Sequence, residues 1–339
     1  MQAIVQRRYG EVADLRLEDL PDPVPAADEV LVRVAAAAVH PDVWHVVVGK
    51  PRVLRLMGSG LRRPKRVVPG IDMAGVVEQV GSAVHAFEPG DRVFGEVTPG
   101  LQWVNGGAYA ELVSVRADLL AAVPDGVDLV EASTVPTVGL IVLQNLLPVP
   151  ALRPGARVLV NGAAGGVGGM AVQILKSRGA EVTGVDHRDK LDVVTRLGAG
   201  HVIDYTSTDY TRDPTTRYDL VFDIPGNHGF SEVRRVLEPS GLYVVIGHDG
   251  FGTANDWWGS IPHVLAPLLR VPFTRQVPRP SFAATPKGQW MQALADLLAQ
   301  GHLTPVVDRV YPLAEASAAL AYLASGRARG RVVLAVPGT

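Results

Sequence analysis

A glycine-rich stretch between an apolar run and an acidic residue carries the clearest chemical signal in this sequence. Five strand-compatible residues at 157–161 lead into the glycines of 162–169, and a helical pattern and a second strand ending on Asp186 follow. Glycines let the backbone bend sharply and approach a pyrophosphate, while a helix N-terminus offers that anion free N–H groups and a partial positive charge. A purely structural tight turn is the alternative. The pattern predicts a dinucleotide site containing Gly162, Ala164, Gly165, Gly166, Val167 and Gly168.

The residues that follow the second strand bear on which dinucleotide binds. An acid at the position of Asp186 usually accepts a hydrogen bond from the ribose 2′-OH, which favours NADH. His187, Arg188 and Lys190 crowd the same loop and would attract a 2′-phosphate through charge-assisted hydrogen bonds. The basic residues outnumber the acid, so the sequence predicts NADPH, with NADH as the alternative.

Two further strand ends supply candidate cofactor contacts. Ligands bind at the carboxyl ends of parallel strands, and ordinary turn chemistry is the competing interpretation. The residues predicted to border the adenosine ribose or the nicotinamide are Gly226, Asn227, Gly247 and His248.

The elements that must position these residues alternate between strand and helix from 156 to about 250, which predicts an α/β fold with a doubly wound parallel sheet. Strands are predicted at 157–161, 181–186, 201–203, 219–223 and 242–247, and helices at 167–178, 189–197 and 229–237. Residues 1 to about 120 are β-rich, with strands at 29–34, 75–80 and 91–94. Later patterns predict helices at 131–147, 289–300 and 314–325 and a closing strand at 330–336. Residues 250–287 are poorly periodic.

Composition narrows the class of protein. The chain has 339 residues, 47% of them apolar and 19% charged, which is typical of a globular protein with two cores. No apolar run is long enough to cross a bilayer and no signal-peptide core opens the chain, so a cytoplasmic location is expected. The net charge of −2 gives no global electrostatic case for a nucleic-acid or membrane partner.

The absence of cysteine excludes disulfides, a thiol nucleophile and any cysteine-ligated zinc site. The nine histidines show neither HxxxH nor HxH spacing, so no metal is expected.

Several segments resemble one family. Residues 69–95 resemble the GroES-like catalytic domain of the medium-chain dehydrogenase/reductase superfamily, and residues 155–185 resemble the cofactor domain of its zinc-independent quinone oxidoreductase branch; residues 197–210 and 326–334 fit the same branch. The resemblance implies a β-rich GroES-like domain at 1–122 and 275–339, a Rossmann domain at 123–274, and a homodimer. It also implies that Tyr205 joins Lys190 at a 2′-phosphate and that Arg331 contacts the cofactor.

The same comparison suggests the reaction. Zinc-dependent relatives carry a GHE-type motif where this chain has Gly70, Ile71 and Asp72. Without a Lewis acid, alcohol oxidation is disfavoured, and hydride transfer from NAD(P)H to a quinone or to a C=C bond conjugated with a carbonyl is expected. The alternatives are a tailoring enoyl or ketone reductase of a biosynthetic pathway, suggested by the aromatic loop at 256–258, and a cofactor-binding protein without turnover.

The chain departs from the family at the expected active site. Where relatives often carry Asn-Pro-x-Asp-Trp, this sequence has His40, Pro41, Asp42, Val43 and Trp44. His40 is predicted to polarise a carbonyl or supply a proton; a loop histidine bonded to the backbone is the alternative. Asp42 and Trp44 complete the predicted catalytic set, although Trp44 could instead be core.

Other positions have less specific interpretations. Thr137 and Ile141, near a position where relatives often have threonine, are predicted to shape the substrate pocket. Tyr109 is predicted to pack under the Gly106–Gly107 turn rather than to react. The basic run at 62–66 is predicted to be a solvated loop, with attraction of an anionic substrate or nucleic acid as the alternative.

Overall fold

Strand pairing divides the chain into a mixed-sheet unit and a parallel-sheet unit. The computed structural model describes residues 1–100, 103–146, 149–150, 152–213, 215–247, 257–259, 261–278 and 286–336. Unit 1 comprises Met1–Leu140, Thr285–Gly301 and Pro305–Thr339, and unit 2 comprises Ile141–Ala284 and His302–Thr304. In this division the first boundary falls at Leu140, and the predicted domain bounds of 1–122 with 275–339 and 123–274 stay a prediction.

Unit 1 contains the antiparallel pair β1 (Gln2–Val5) and β2 (Arg16–Asp19) together with a seven-stranded mixed sheet. The strands of the larger sheet are β3 (Glu29–Val39), β4 (Asp72–Val80), β5 (Arg92–Glu96), β6 (Leu112–Arg116), β7 (Leu120–Ala122), β13 (Val307–Pro312) and β14 (Arg331–Ala335). Their order is β13-β14-β3-β4-β5-β7, with β6 also pairing β3. The β13–β14 pair is parallel and the other pairs are antiparallel.

The helices of unit 1 follow local signals in the sequence. They are α1 (Pro41–Val48), α2 (Leu129–Ser133), the start of α3 (Pro136–Leu146), α8 (Lys287–Ala299) and α9 (Ala316–Ala324). Helix α1 begins on the cap residue His40 with proline at its first position, and it ends at Gly49, which has a φ of +65°. Alternate residues of β3, among them Val30, Val32 and Val34, face one buried core of this unit.

Unit 2 is built on a five-stranded parallel sheet in the order β10-β9-β8-β11-β12. Its strands are β8 (Arg157–Asn161), β9 (Glu181–Asp186), β10 (His201–Asp204), β11 (Tyr218–Asp223) and β12 (Leu237–Val245). Its helices, besides the end of α3, are α4 (Gly166–Ser177), α5 (Leu191–Arg196), α6 (Phe230–Val233) and α7 (Ile261–Leu265). The strand order reverses at β8, as in doubly wound nucleotide-binding sheets, so the predicted α/β class is confirmed.

Two predicted helices differ from the structure, and helix α1 was not predicted. The helix predicted at 131–147 is two helices, because Pro136 lacks an N–H and disfavours helical geometry at Val135. The segment at 41–48, for which no element was predicted, is helix α1. The helix predicted at 229–237 ends early, because Leu237 already pairs with Tyr218 in β12. Within the described ranges, no helix is long and apolar enough to cross a membrane.

An ion pair between the half-buried Lys287 and the buried Glu96 fastens α8 to the sheet of unit 1. The Lys287 ammonium group lies 2.6 Å from Glu96 Oε1 and also donates to the carbonyl oxygens of Thr98 and Gly100. Burial raises the pKa of Glu96, the positive charge of Lys287 lowers it, and the negative charge of Asp72, opposite Glu96 in the β4–β5 ladder, raises it. Glu96 Oε2 is buried and has no hydrogen-bond partner among the described residues. The lysine is therefore the main compensation for this buried charge.

A Lys287→Met variant should lose about 3–5 kcal/mol of unfolding free energy at neutral pH, because Glu96 remains buried without its partner. Removing Lys287 raises the folded-state pKa of Glu96 further. A raised folded-state pKa stabilises the fold at low pH, so the deficit relative to wild type should shrink as the pH falls toward the ordinary glutamate value of 4.5. Urea unfolding from neutral to acidic pH measures this deficit. The matched Lys287→Met/Glu96→Gln variant should recover most of it, and a pH-independent deficit would contradict the assignment.

Candidate active site

The glycine turn of unit 2 has the geometry that its sequence predicts. Gly162 follows β8 with a φ of +81°, and Gly165 caps α4. A Cβ atom added to Gly168 would lie 2.0 Å from the carbonyl oxygen of Gly162, so only glycine lets α4 come this close to the turn. The first-turn N–H groups of α4, at Gly166, Val167 and Gly168, have no acceptor four residues back within the helix. They are suited to bind a pyrophosphate.

Asp186 anchors this turn from the end of β9. Its Oδ2 accepts a hydrogen bond from the Ala164 N–H at 2.8 Å, and its Oδ1 accepts one from the His187 N–H at 2.8 Å. The residue is only 8% exposed. Both carboxylate oxygens are thus bound to backbone amides, an arrangement that the sequence did not reveal. The predicted contact of Asp186 with a ribose stays a prediction.

The basic residues predicted for the cofactor lie just beyond Asp186 and beside the end of β10. His187 caps a 3-10 turn over Arg188–Lys190, and its ring meets that of Tyr205 edge to face, with centroids 5.9 Å apart. The exposed Arg188 guanidinium lies 3.4 Å from Thr206 Oγ1. The Tyr205 N–H donates to the carbonyl of Asp186 at 3.2 Å. The structure therefore brings His187 and Tyr205 together and places Arg188 and Lys190 on the same turn.

A buried acid organises the carboxyl ends of β8 and β11. Asp223 accepts hydrogen bonds from Asn161 Nδ2 at 2.9 Å, from the Gly226 N–H at 3.0 Å and from the Tyr243 hydroxyl at 3.0 Å. Burial raises the pKa of Asp223, and these donors lower it. Asn161 Nδ2 also donates to Asn227 Oδ1 at 3.1 Å. Asn161, Asp223 and Tyr243 were not predicted as site residues, although Asn161 and Asp223 could have been found as polar residues that end buried strands.

The other predicted site residues in this part of the chain do not form a single cluster among the described residues. The Gly247 N–H donates to the carbonyl of Ile224 at 3.0 Å, and Gly247 has a φ of +81°. His248 lies outside the described residues. Ile141 is half-buried on α3, where its carbonyl accepts a hydrogen bond from Asn145. The substrate-pocket role of Ile141 stays a prediction.

In unit 1, the cap of α1 joins the predicted catalytic histidine and aspartate. His40 is buried, and its Nδ1 lies 3.2 Å from both the N–H and Oδ2 of Asp42. Asp42 Oδ1 accepts a hydrogen bond from Trp103 Nε1 at 3.1 Å. Nε2 carries a proton in the neutral tautomer whose Nδ1 accepts from this amide, and also in the charged imidazolium whose Nδ1 donates to Asp42 Oδ2. His40 therefore makes the backbone hydrogen bond expected of the alternative interpretation, a histidine bonded to the backbone. Its Nε2–H can still donate a hydrogen bond to a ligand.

A second buried acid connects the other predicted residues of this unit. Asp72 Oδ1 accepts hydrogen bonds from the Thr137 N–H at 3.0 Å and from its hydroxyl, and Asp72 Oδ2 lies 3.5 Å from Arg331 Nη2. Burial raises the pKa of Asp72, whereas the charges of His40 and Arg331 lower it. Thr137 and Arg331 thus contact one carboxylate, which also interacts electrostatically with His40. The Thr137 hydroxyl and the Arg331 guanidinium are engaged there, and their contacts with substrate and cofactor stay predictions.

The two aromatic candidates of unit 1 differ in burial. Trp44 is half-buried and packs against the core of unit 1, with its ring edge to face with His45 at 5.2 Å. Tyr109 is fully buried, and its hydroxyl donates to the carbonyl of Ala38 at 3.3 Å. Tyr109 therefore has the packing position expected from the sequence. The core contacts of Trp44 account for its position by themselves. Its role in the wall of a substrate pocket stays a prediction.

The residues present do not fit the zinc centre of zinc-dependent dehydrogenases. The chain has no cysteine, and no group of three or more potential metal ligands lies together in the part of the chain that the structure describes. Ile71, at the position of the histidine in the GHE-type motif, is fully buried in the core of unit 1.

A β-rich domain with a doubly wound domain and a glycine turn defines the medium-chain dehydrogenase/reductase class. Residues 26–125 match the alcohol dehydrogenase GroES-like domain, and residues 197–334 match the family described as zinc-binding dehydrogenase. The chain is 30% identical to an NADPH-dependent alkenal/one oxidoreductase of Arabidopsis thaliana, over 98% of this chain and 79% of the relative.

Solved structures agree with this class. A quinone oxidoreductase from Coxiella burnetii has 25% identity and a TM-score of 0.79, with 99% of each chain covered. An NAD-dependent alcohol dehydrogenase has 30% identity and a TM-score of 0.80, with 99% of this chain and 100% of that chain covered. The protein belongs to the quinone oxidoreductase-like family of medium-chain dehydrogenases/reductases.

Replacing Asp186 should test whether its carboxylate holds the turn or a ribose. An Asp186→Ser variant should bind NADPH and NADH about tenfold more weakly, to a similar degree, because serine cannot accept from both amides. Asp189→Ser is the matched control, since it removes the same charge from an exposed position on the same loop. Fluorescence titration with each dinucleotide measures the effect. A loss confined to NADH would show instead that Asp186 binds the ribose 2′-OH.

Proposed function

We propose that the protein transfers a hydride from NADPH to a quinone or to the C=C bond of an α,β-unsaturated carbonyl compound, without a metal ion. The observation that carries the choice of reaction is Ile71, an apolar core residue where zinc-dependent dehydrogenases place a histidine. Without a Lewis acid to stabilise an alkoxide, alcohol oxidation is disfavoured. The similarity to an alkenal/one oxidoreductase and to a quinone oxidoreductase supports the same reaction.

Unit 2 supplies the cofactor site in this proposal. The α4 N-terminus and the Gly162–Gly168 turn bind the pyrophosphate, and Lys190 and Tyr205 hold the 2′-phosphate with help from Arg188. The Asp186 carboxylate keeps its negative charge while it accepts from two backbone amides, so the positive charges of Arg188 and Lys190 must offset its repulsion of that phosphate. When bound, the reduced nicotinamide supplies the hydride.

Unit 1 supplies the polar group for the acceptor. His40 donates its Nε2–H to the carbonyl oxygen of the substrate, where negative charge develops as the hydride arrives. Asp42 fixes the ring through its backbone amide, and Trp103 fixes the Asp42 carboxylate in turn. The proposal includes a cytoplasmic homodimer, in which β12, the last strand in the described sheet order, is the candidate edge for pairing.

The proposal is tested by anaerobic titration with NADPH and NADH, followed by a panel of quinones and enones while the reduced-nicotinamide absorbance is recorded. We expect tighter binding of NADPH, oxidation by at least one acceptor, and equal rates before and after dialysis against a chelator. Binding without oxidation by any acceptor would contradict the reductase assignment. Inactivation by the chelator with recovery on adding zinc would contradict the metal-free mechanism.

Two substitutions at His40 separate its chemistry from its capping role. Both His40→Asn and His40→Ala should reduce kcat with an enone by about 100-fold and leave NADPH affinity unchanged. Only the alanine variant should lose about 1 kcal/mol of unfolding free energy, because asparagine also caps a helix. Steady-state kinetics and urea unfolding measure the two effects. If His40→Asn turned over the enone at the wild-type rate, His40 would serve only as a helix cap and would have no role in the reaction.

A further inference from the structure

The segment between Asp42 and Asp72 is strongly cationic within a chain whose formal net charge is −2. It contains seven lysines and arginines and no acidic residue. The overall charge therefore conceals a local concentration of positive charge, and long-range attraction depends on local fields of this kind.

The cations at the end of this segment are exposed and unpaired. Arg62, Arg63, Lys65 and Arg66 are exposed and, among the described residues, form no salt bridge with an acid. Arg55 differs, because its guanidinium lies 4.3 Å above the Tyr9 ring and donates to the Gly49 carbonyl. The four unpaired cations are available to a partner.

Exposed aliphatic side chains accompany these cations. Leu56 is 69% exposed and Leu61 is 64% exposed. Leu61 lines one concave surface together with Arg62, Arg63 and Lys65, so apolar and basic groups share a face. We call Leu56, Leu61, Arg62, Arg63, Lys65 and Arg66 the basic–aliphatic surface.

The backbone holds this surface in a defined turn. Gly60 has a φ of +117°, and its carbonyl accepts a hydrogen bond from the Tyr9 hydroxyl. The Lys65 N–H donates to the Ser59 carbonyl at 2.9 Å. The Ser59 hydroxyl in turn donates to the carbonyl of Trp103, whose indole contacts Asp42. The surface is thereby joined to the cap of α1 that carries His40.

We infer that the basic–aliphatic surface docks on a lipid bilayer rich in anionic headgroups. Arginine and lysine side chains attract such a surface, and neighbouring leucines can enter the boundary between headgroups and acyl chains. Single-stranded nucleic acid would instead be favoured by aromatic side chains on which bases stack, and the exposed apolar residues here are aliphatic. A bilayer would also present a lipophilic quinone to unit 1; this last step rests on the proposed function.

The test is flotation of the full-length protein with vesicles of phosphatidylcholine alone and with about 30 mol% phosphatidylserine. We expect binding only to the anionic vesicles, with loss at about 0.5 M salt. Arg62→Gln/Arg63→Gln should weaken binding at least about tenfold. The matched control Arg234→Gln/Arg235→Gln removes two adjacent exposed arginines from unit 2 and should bind like wild type. Leu61→Ser should weaken binding without changing the charge.

Three results would overturn the docking inference. The first is that the protein does not bind anionic vesicles at low salt. The second is that the two double-arginine variants lose vesicle binding equally. The third is that a single-stranded RNA binds more tightly through Arg62 and Arg63 and displaces the vesicles. The last result would assign the surface to nucleic acid.

Vesicle binding is measured without cofactor, so its result tests the docking inference and does not depend on whether the protein is a reductase. A water-soluble quinone tests the proposed function alone. A long-chain quinone embedded in the vesicles tests the link, because Arg62→Gln/Arg63→Gln should slow its reduction while leaving the rate with the soluble quinone unchanged.

Discussion

The close approach of helix α4 to the turn after β8 is the constraint on which the cofactor half of the structure depends. Gly168 permits it, because any larger residue would place a Cβ against the carbonyl of Gly162. The approach brings the helix N-terminus to the carboxyl edge of the sheet, where anions bind. Asp186 then secures the turn through the Ala164 amide. A local steric requirement thus sets the position of the partial charge that a dinucleotide needs.

Buried carboxylates recur at strand ends within each of the two units. Asp72, Asp186 and Asp223 each accept hydrogen bonds from backbone amides and, for Asp72 and Asp223, from side chains as well. Burying a charge without such donors would be costly. The acids therefore fix loop geometry: Asp72 beside Thr137 and Arg331, and Asp223 beside Asn161 and Tyr243. Rigid loops of this kind suit residues that must orient a bound ligand.

Local pattern was enough to predict β8, β9 and α4, because each is a contiguous apolar or periodic segment bounded by glycine. It did not predict the start of β12, because the predicted strand begins only at residue 242, whereas Leu237 joins the sheet through its pairing with Tyr218 of β11. Nor could it give the direction of a carboxylate. The hydrogen bond that Asp186 accepts from the Ala164 amide, 22 residues earlier, could not be found from the sequence. Residue types could be predicted for the site, whereas their hydrogen bonds required the fold.

In the proposed reaction a hydride passes directly from the nicotinamide to a carbon conjugated with a carbonyl. NADPH carrying deuterium at the C4 position of the nicotinamide tests this step, with mass and NMR analysis of the reduced enone. We expect deuterium on the carbon β to the carbonyl and solvent hydrogen on the α carbon, in a reaction unaffected by a chelator. Deuterium on the carbonyl carbon, or no deuterium in the product, would contradict it.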